Sequence, residues 1–211
     1  CTSSGEKKFP YQIQEARQAL RHLRRRAGEL NLDPDFFALW SSSSGGHLSL
    51  LAALTRGDPY FDAQPDSEIS DQISAVAAVY PCCRLDATVE DYRAIGLEPA
   101  NFRSGPDCAE SIFLGALAED SPELCRLAAP ITHVRPDGPP LFLLHGAADA
   151  VVPYTFTQEL AQRYGAVAGE DRVQIHIVPG AGHSAPCFKS EEACHAILDF
   201  IDSVREGGLG T

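Results

Sequence analysis

Residues 36–51 read Phe36-Phe37-Ala38-Leu39-Trp40-Ser41-Ser42-Ser43-Ser44-Gly45-Gly46-His47-Leu48-Ser49-Leu50-Leu51. An apolar run enters a block of very small residues and leaves as an apolar run of different period. Phe36 to Trp40, bounded by Asp33-Pro34-Asp35 and the serines, has the pattern of a short buried strand. Beyond the glycines, Leu48, Leu51 and Leu54 recur at helical spacing, with Leu50 beside them. The serines therefore occupy a sharp strand-to-helix turn. Such a turn exposes one serine hydroxyl above the sheet and aims the next N–H at a developing oxyanion. It needs small residues two before and two after the exposed serine. Ser43, between Ser41 and Gly45, meets that rule; so does Ser44, between Ser42 and Gly46. Ser42 does not, because Trp40 would fill a small position. A flexible Ser/Gly linker is the competing reading, but linkers are not flanked by Phe-Phe-Ala-Leu-Trp and Leu-Ser-Leu-Leu.

The rest of the chain alternates strands and helices. Upstream, Pro10 suits a first helical turn, and Ile13, Ala16, Leu20, Leu23 and Ala27 form a stripe at helical spacing. Arg21, Arg24, Arg25 and Arg26 read as a solvated face near the end of that helix, favourable to its dipole. Downstream, a Gly/Pro/Asp/Ser-rich loop over 57–72 leads to a second buried strand, Ile73 to Tyr80, closed by Pro81. Residues 84–129 hold candidate helices near 87–95, 108–118 and 121–128. A third buried strand runs Leu141 to His145, a helix covers 155–165, a fourth strand runs Val173 to Val178, and an amphipathic helix over 190–205 closes the chain. This alternation predicts an α/β fold with a mostly parallel sheet flanked by helices.

In such sheets, ligands collect at the carboxyl ends of the strands. Ser43, Asp149 and His183 each stand just after a strand end, in the order Ser, Asp, His. A serine hydroxyl needs a neighbouring imidazole to remove its proton, and a carboxylate to orient that imidazole. Ser43 or Ser44 as nucleophile, His183 as base and Asp149 as orienting acid form the candidate catalytic set. With Ser43 as nucleophile, the N–H of Ser44 is the expected oxyanion donor. His47, in the first turn after the serines, and His145, at a strand end, read as structural. His22, His133, His176 and His195 have no motif around them.

A resemblance covers nearly all of residues 9–205. Trp40-Ser41-Ser42-Ser43-Ser44-Gly45-Gly46-His47-Leu48 resembles the W-G-x-S-A-G-G-H-L segment of α/β-hydrolase esterases, the carboxylesterase and feruloyl/acetyl-xylan esterase group related to the hormone-sensitive-lipase-like enzymes. Phe9-Pro10-x-x-Ile13 and Leu32-Asp33-Pro34-Asp35 resemble that family's segments leading into the elbow strand. His145-Gly146-x-x-Asp149-x-x-Val152-Pro153 resembles its acid loop, and Gly180-Ala181-Gly182-His183 its histidine loop. The resemblance decides the register in favour of Ser43. Ser41 replaces a family glycine and Ser44 an alanine.

It also implies that the chain starts just past the family's fourth strand. The H-G-G-type loop that supplies the second oxyanion donor is not among these residues, and the N-terminal part of the sheet would be missing. The chain, 1–211, is then the C-terminal portion of one α/β-hydrolase domain, with a cap-like insertion at about 84–129 over the active site. The strand before the serines would be an uncovered apolar edge, which invites association into oligomers.

The expected activity is hydrolysis of small-molecule carboxylic esters through an acyl-enzyme, with no metal or cofactor. Two alternatives stay open: an amide or small-peptide hydrolase resembling the prolyl-oligopeptidase type, and a weakly catalytic or binding fragment lacking half the oxyanion hole. A formal charge of -12 repels phosphate backbones and argues against nucleic acid. No apolar run is long enough to span a bilayer. The seven cysteines lack zinc-site spacing and read as reduced thiols in a cytoplasmic enzyme, with a Cys187–Cys194 bridge as the alternative in an exported one.

Overall fold

The computed structural model describes residues 2–101 and 104–208. In chain order the elements are α1 (Tyr11–Arg25), α2 (Ala27–Leu30), β1 (Ala38–Ser42), α3 (Ser44–Leu54), β2 (Ala75–Val79), α4 (Val89–Arg93), α5 (Ala109–Leu114), α6 (Pro122–Leu127), β3 (Leu141–Gly146), α7 (Tyr154–Ala168), β4 (Val173–Val178) and α8 (Glu191–Arg205). Short 3₁₀ turns punctuate the loops.

The four strands form one parallel sheet in the order β1-β2-β3-β4. Parallel strands need crossovers that cover both faces, so their sequences read as continuous apolar runs. Strand β2, Ala75-Val76-Ala77-Ala78-Val79, is buried at every position. Its side chains divide strictly by parity. Val76 and Ala78 join Leu141 and Leu143 of β3 in the core beneath α1, α3 and α7; Ala75, Ala77 and Val79 join Phe142 and Leu144 in the core beneath α8. The expected amphipathic face of α8 closes the second core, with Ile197 and Phe200 buried and Ala193, Ile201 and Val204 packed beside them. The side chain of Ser190 caps this helix by accepting from the Ala193 N–H at 3.2 Å.

The first strand is offset from its apolar run. Pairing runs from Ala38 opposite Ala75 to Ser42 opposite Val79, so two of the small residues belong to the strand while Phe36 and Phe37 precede it. The buried strand expected over Phe36 to Trp40 is corrected: the first four residues are only partly buried and Trp40 is exposed, because β2 covers β1 along one edge alone, and hydrogen bonding to β2 sets where the strand lies. β1 is an edge of the described sheet, and Trp40 on it is 45% exposed.

The arginine face expected of α1 is corrected. Arg17 and Arg21 are buried, whereas Leu23, assigned to the apolar stripe, is exposed. Arg17 donates to Asp71 Oδ2 at 3.1 Å, to Thr55 Oγ1 at 3.0 Å and to the Ala52 carbonyl at 3.2 Å. Arg21 grips Asp62 with both terminal nitrogens and also reaches Asp71. Arg24 donates to the carbonyls of Pro34, Ser70 and Gln72. The arginines of α1 therefore pin the irregular segment before β2, and only Arg25 and Arg26 fit the solvated face. The planar guanidinium can satisfy a carboxylate and several carbonyls at once, which is what allows its burial.

Arg17→Leu removes one side of a buried ion cluster and is expected to lower unfolding free energy by about 3 kcal/mol. Arg25→Leu, on the exposed face, is expected to change it by under about 0.5 kcal/mol. Urea denaturation of both variants checks this; equal effects would mean that the cluster contributes nothing.

Candidate active site

The polypeptide turns at Ser43 in a conformation that few side chains adopt. Its φ and ψ are 52° and −124°, a strained region for any residue with a Cβ. Two backbone bonds hold it there: the Ser43 N–H donates to the Val79 carbonyl at 2.9 Å, and the Ser43 carbonyl accepts from the His47 N–H at 3.0 Å. Close packing explains the small residues around it. A Cβ on Gly46 would stand 3.0 Å from Cβ of Pro81, and one on Gly45 would stand 3.4 Å from Cβ of Ser41. The tighter constraint thus falls on Gly46, against the end of β2. Ser41, where the resembling esterases carry glycine, has its hydroxyl bonded to Ser49 Oγ at 2.8 Å.

Two loops then meet. The Ala147 N–H donates to the Val178 carbonyl and the Ala148 N–H to the Ala181 carbonyl, each at 2.9 Å. Gly146 lies against the Ala181 carbonyl so closely that a Cβ there would collide with it. This crossing sets Asp149, after β3, beside His183, after β4.

The three sequence-predicted residues form one hydrogen-bonded chain. His183 Nδ1 is 2.7 Å from Asp149 Oδ2, and His183 Nε2 is 2.9 Å from Ser43 Oγ. An ionised carboxylate only accepts, so Nδ1 carries the proton and Nε2 is free to accept from the serine hydroxyl. Asp149 is fully buried. Burial favours its neutral form, but hydrogen bonds from His145, His183 and the Val152 N–H outweigh burial and hold the carboxyl well below the usual carboxylate range. Its Oδ1 accepts from the N–H groups of Val151 and Val152 at 2.8 and 2.9 Å. Ser44 opens α3, and its N–H belongs to the first turn, which helix geometry leaves without a carbonyl four residues back.

Sequence reasoning missed Tyr80. It has φ of 40° at the end of β2, donates its N–H to the Leu144 carbonyl, and sets its ring 4.6 Å from that of His183. A tyrosine wedged between strand end and Pro81 was the available signal. His47 and His145 are in the structural positions expected. Buried His47 bonds through Nε2 to the Ala128 carbonyl at 2.8 Å and meets Phe113 edge to face. Among the other histidines, His133 bonds to the Leu127 carbonyl and His176 stacks on Phe142.

A cavity of about 530 Å³ opens beside Ser43. Ser43, Ser44, His47, Leu48, Val151 and Val152 line it together with Leu85, Ala109, Ile112 and Phe113 from the 84–129 segment. No disulfide joins the described cysteines, Cys187 and Cys194 included. Among the described residues no group of three or more His, Cys, Asp or Glu could hold a metal ion, and no helix is long and apolar enough to cross a membrane.

The family model BD-FAE matches residues 2–164. The chain belongs to the BD-FAE family. Esterase LipC of Mycobacterium tuberculosis is 28% identical over 205 residues, which are 94% of this chain and 47% of LipC. Esterase LipQ of the same organism is 29% identical, covering 96% of this chain and 46% of LipQ. The BD-FAE chain thus spans about half the length of the curated relatives it matches. A solved truncated form of a carbohydrate esterase from gut microbiota superposes with a TM-score of 0.78 at 25% identity, over 96% of this chain and 71% of that one. Native esterase 2 of Thermogutta terrifontis gives 0.65 at 25% identity, over 94% and 65%. The fold is that of the α/β-hydrolases.

His47 yields a pH prediction. Burial outweighs its bond to Ala128 and brings its pKa down to about 4. In the unfolded chain the value returns to about 6.5. Between these values the unfolded state binds the extra proton, so stability is full above about pH 6.5 and falls as pH drops toward 4. Between pH 7 and pH 5 the loss from this group should be about 2 kcal/mol. His47→Gln is expected to remove that part of the dependence, as read by urea denaturation at the two pH values.

Proposed function

We propose that this chain carries the acylating centre of a serine carboxylic ester hydrolase. The observation that carries the reading is the unbroken series Ser43 Oγ, His183 Nε2, His183 Nδ1, Asp149 Oδ2, with contacts of 2.9 and 2.7 Å. The esterase names of LipC and LipQ and of the solved neighbours support the reaction class.

The chemistry follows from the proton positions. Ser43 Oγ attacks the ester carbonyl carbon as its proton passes to His183 Nε2. The imidazolium so formed faces the Asp149 carboxylate, which stabilises it and fixes the ring. The carbonyl oxygen gains negative charge, and the Ser44 N–H at the start of α3 is the donor placed to receive it. His183 then gives its proton to the leaving alkoxide, leaving an acyl-Ser43 and a free alcohol. Water, deprotonated by the same nitrogen, attacks the acyl carbon; the bond to Ser43 Oγ breaks, His183 returns the proton to Oγ, and the carboxylic acid leaves. His47 is a poor substitute base, because burial brings its pKa down to about 4 and its Nε2 is bonded to the Ala128 carbonyl. Leu48, Leu85, Ile112, Phe113, Val151 and Val152 give the cavity beside Ser43 a largely apolar wall for the substrate. The 84–129 segment supplies part of that wall and, in this reading, acts as the cap that sets acyl or alcohol preference. The substrate is a small-molecule ester.

Labelling with a fluorophosphonate, followed by peptide mapping, tests the assignment. The label is expected on Ser43 and should be lost in Ser43→Ala. Asp149→Asn is expected to lower turnover of a short-chain p-nitrophenyl ester by about 10⁴-fold through misplacement of the imidazole proton. A label on Ser44, or one indifferent to His183→Ala, would overturn the assignment.

A further inference from the structure

Asp149 Oδ2 serves two histidines. Besides His183, it faces His145 Nε2 at 3.1 Å. His145 projects from β3, is fully buried, and also has its Nε2 3.2 Å from the Val152 carbonyl. Both groups facing Nε2 are acceptors, so that nitrogen carries a proton. The other ring nitrogen, Nδ1, lies 2.8 Å from the hydroxyl of Thr157, a buried residue of α7. A neutral ring with its proton on Nε2 accepts at Nδ1, and the Thr157 hydroxyl is then the donor. Thr157 Oγ1 in turn lies 3.7 Å from the Sγ of buried Cys83. Its own proton is committed to His145, so it can only accept there. Burial pushes the Cys83 thiol up to about 12, which keeps it protonated, with the Pro81 carbonyl and the Thr157 hydroxyl both 3.7 Å from its Sγ.

We infer that Thr157 and His145 are positioning residues for the reaction: the acceptors at Nε2 fix the tautomer of His145, Thr157 donates to its Nδ1, and His145 shares the Asp149 carboxylate with His183 and thereby limits the basicity of the His183 ring. This rests on the ester-hydrolase reading of the Ser43 site. Hydrogen bonds in series polarise one another. Donation from Thr157 to Nδ1 strengthens the Nε2–H bond to Oδ2. That bond withdraws charge from the oxygen to which His183 Nδ1–H donates. Loss of the Thr157 hydroxyl should leave Oδ2 more negative toward His183 and favour its imidazolium.

The other groups around the chain are few. Asp149 is faced by His145 from β3, by His183 from the loop after β4, and by the N–H groups of Val151 and Val152 in its own loop. His183 is faced by Ser43 and by the ring of Tyr80. At the far end, the charge of Glu159 acts on Cys83.

Two measurements on the full chain test the inference. In imidazole ¹⁵N NMR, His145 is expected to carry its proton on Nε2 alone, and the His183 Nδ1–H signal is expected to move in Thr157→Val and return in Thr157→Ser. In fluorophosphonate labelling, Thr157→Val is expected to shift the acid limb of the rate profile to higher pH, with about 1.2- to 1.7-fold slower labelling on that limb, the share of one hydrogen bond that polarisation passes along the series. Thr157→Ser, which keeps the hydroxyl, should restore the profile. A merely structural role would lower the rate equally at all pH values. A His145 proton on Nδ1, protons on both nitrogens, or a Thr157→Val profile equal to that of the unmutated chain would each overturn the inference. Absence of label on Ser43 in the unmutated chain would instead overturn the ester-hydrolase reading, and the two histidine signals would decide the hydrogen-bonded chain by themselves.

Discussion

Gly146 and the carbonyl of Ala181 touch where the loops leaving β3 and β4 cross. Parallel pairing of those strands, from Leu141 opposite Val173 to Gly146 opposite Val178, delivers both loops to the same end of the sheet. Pairing alone would leave the loops side by side. The contact at Gly146 brings the second across the first, and the Ala148 N–H bond to Ala181 locks it there. Asp149 and His183, thirty-four residues apart in the chain, thereby come within 2.7 Å. Any side chain at position 146 would push the histidine loop away from the carboxylate. Backbone proximity at this point is therefore the condition for the whole site.

The other half of the site depends on strain. Ser43 stands in a conformation that costs on the order of 1–3 kcal/mol. Its N–H is tied to Val79 of β2, and Gly46 packs on Pro81 just beyond the same strand. Strand β2 is buried on both faces and cannot yield, so the turn cannot relax without opening the core. Ser41 and Ser49, joined by their hydroxyls, fill the space that a glycine would leave at the turn. The site is thus held from two directions, by a rigid central strand under the serine and by crossed loops under its partners.

Buried charge organises the opposite end of the sheet. Arg17 and Arg21 reach Asp62 and Asp71 in the irregular segment before β2 and fasten it to α1. This segment has few regular hydrogen bonds of its own, and the guanidinium groups of Arg21 and Arg24 satisfy its carbonyls at Ile69, Ser70 and Gln72 directly. Helix α1 therefore packs through a face that is part aliphatic and part ionic. An apolar stripe drawn from sequence could not show this, because Leu23 reads as core while Arg21 and Arg24 read as surface. The carboxylate partners come from residues 62 and 71, far along the chain and without a local signature.

The sequence by itself determined the layout: the alternation of strands and helices, the buried runs of β2 and β3, and the small residues that force a turn at Ser43. These are local matters of period, side-chain volume and backbone freedom, which neighbouring residues impose on one another. Ser43, Asp149 and His183 were legible because each follows a strand end within a segment that resembles a loop of the α/β-hydrolase esterases. Tertiary structure alone decided which groups share a proton. Tyr80 against His183, His145 on the same carboxylate oxygen as His183, and Thr157 behind His145 each join elements distant in the chain. Hydrogen bonds of this kind depend on atoms meeting within about 3 Å and in the right direction, and only the packed core sets such distances.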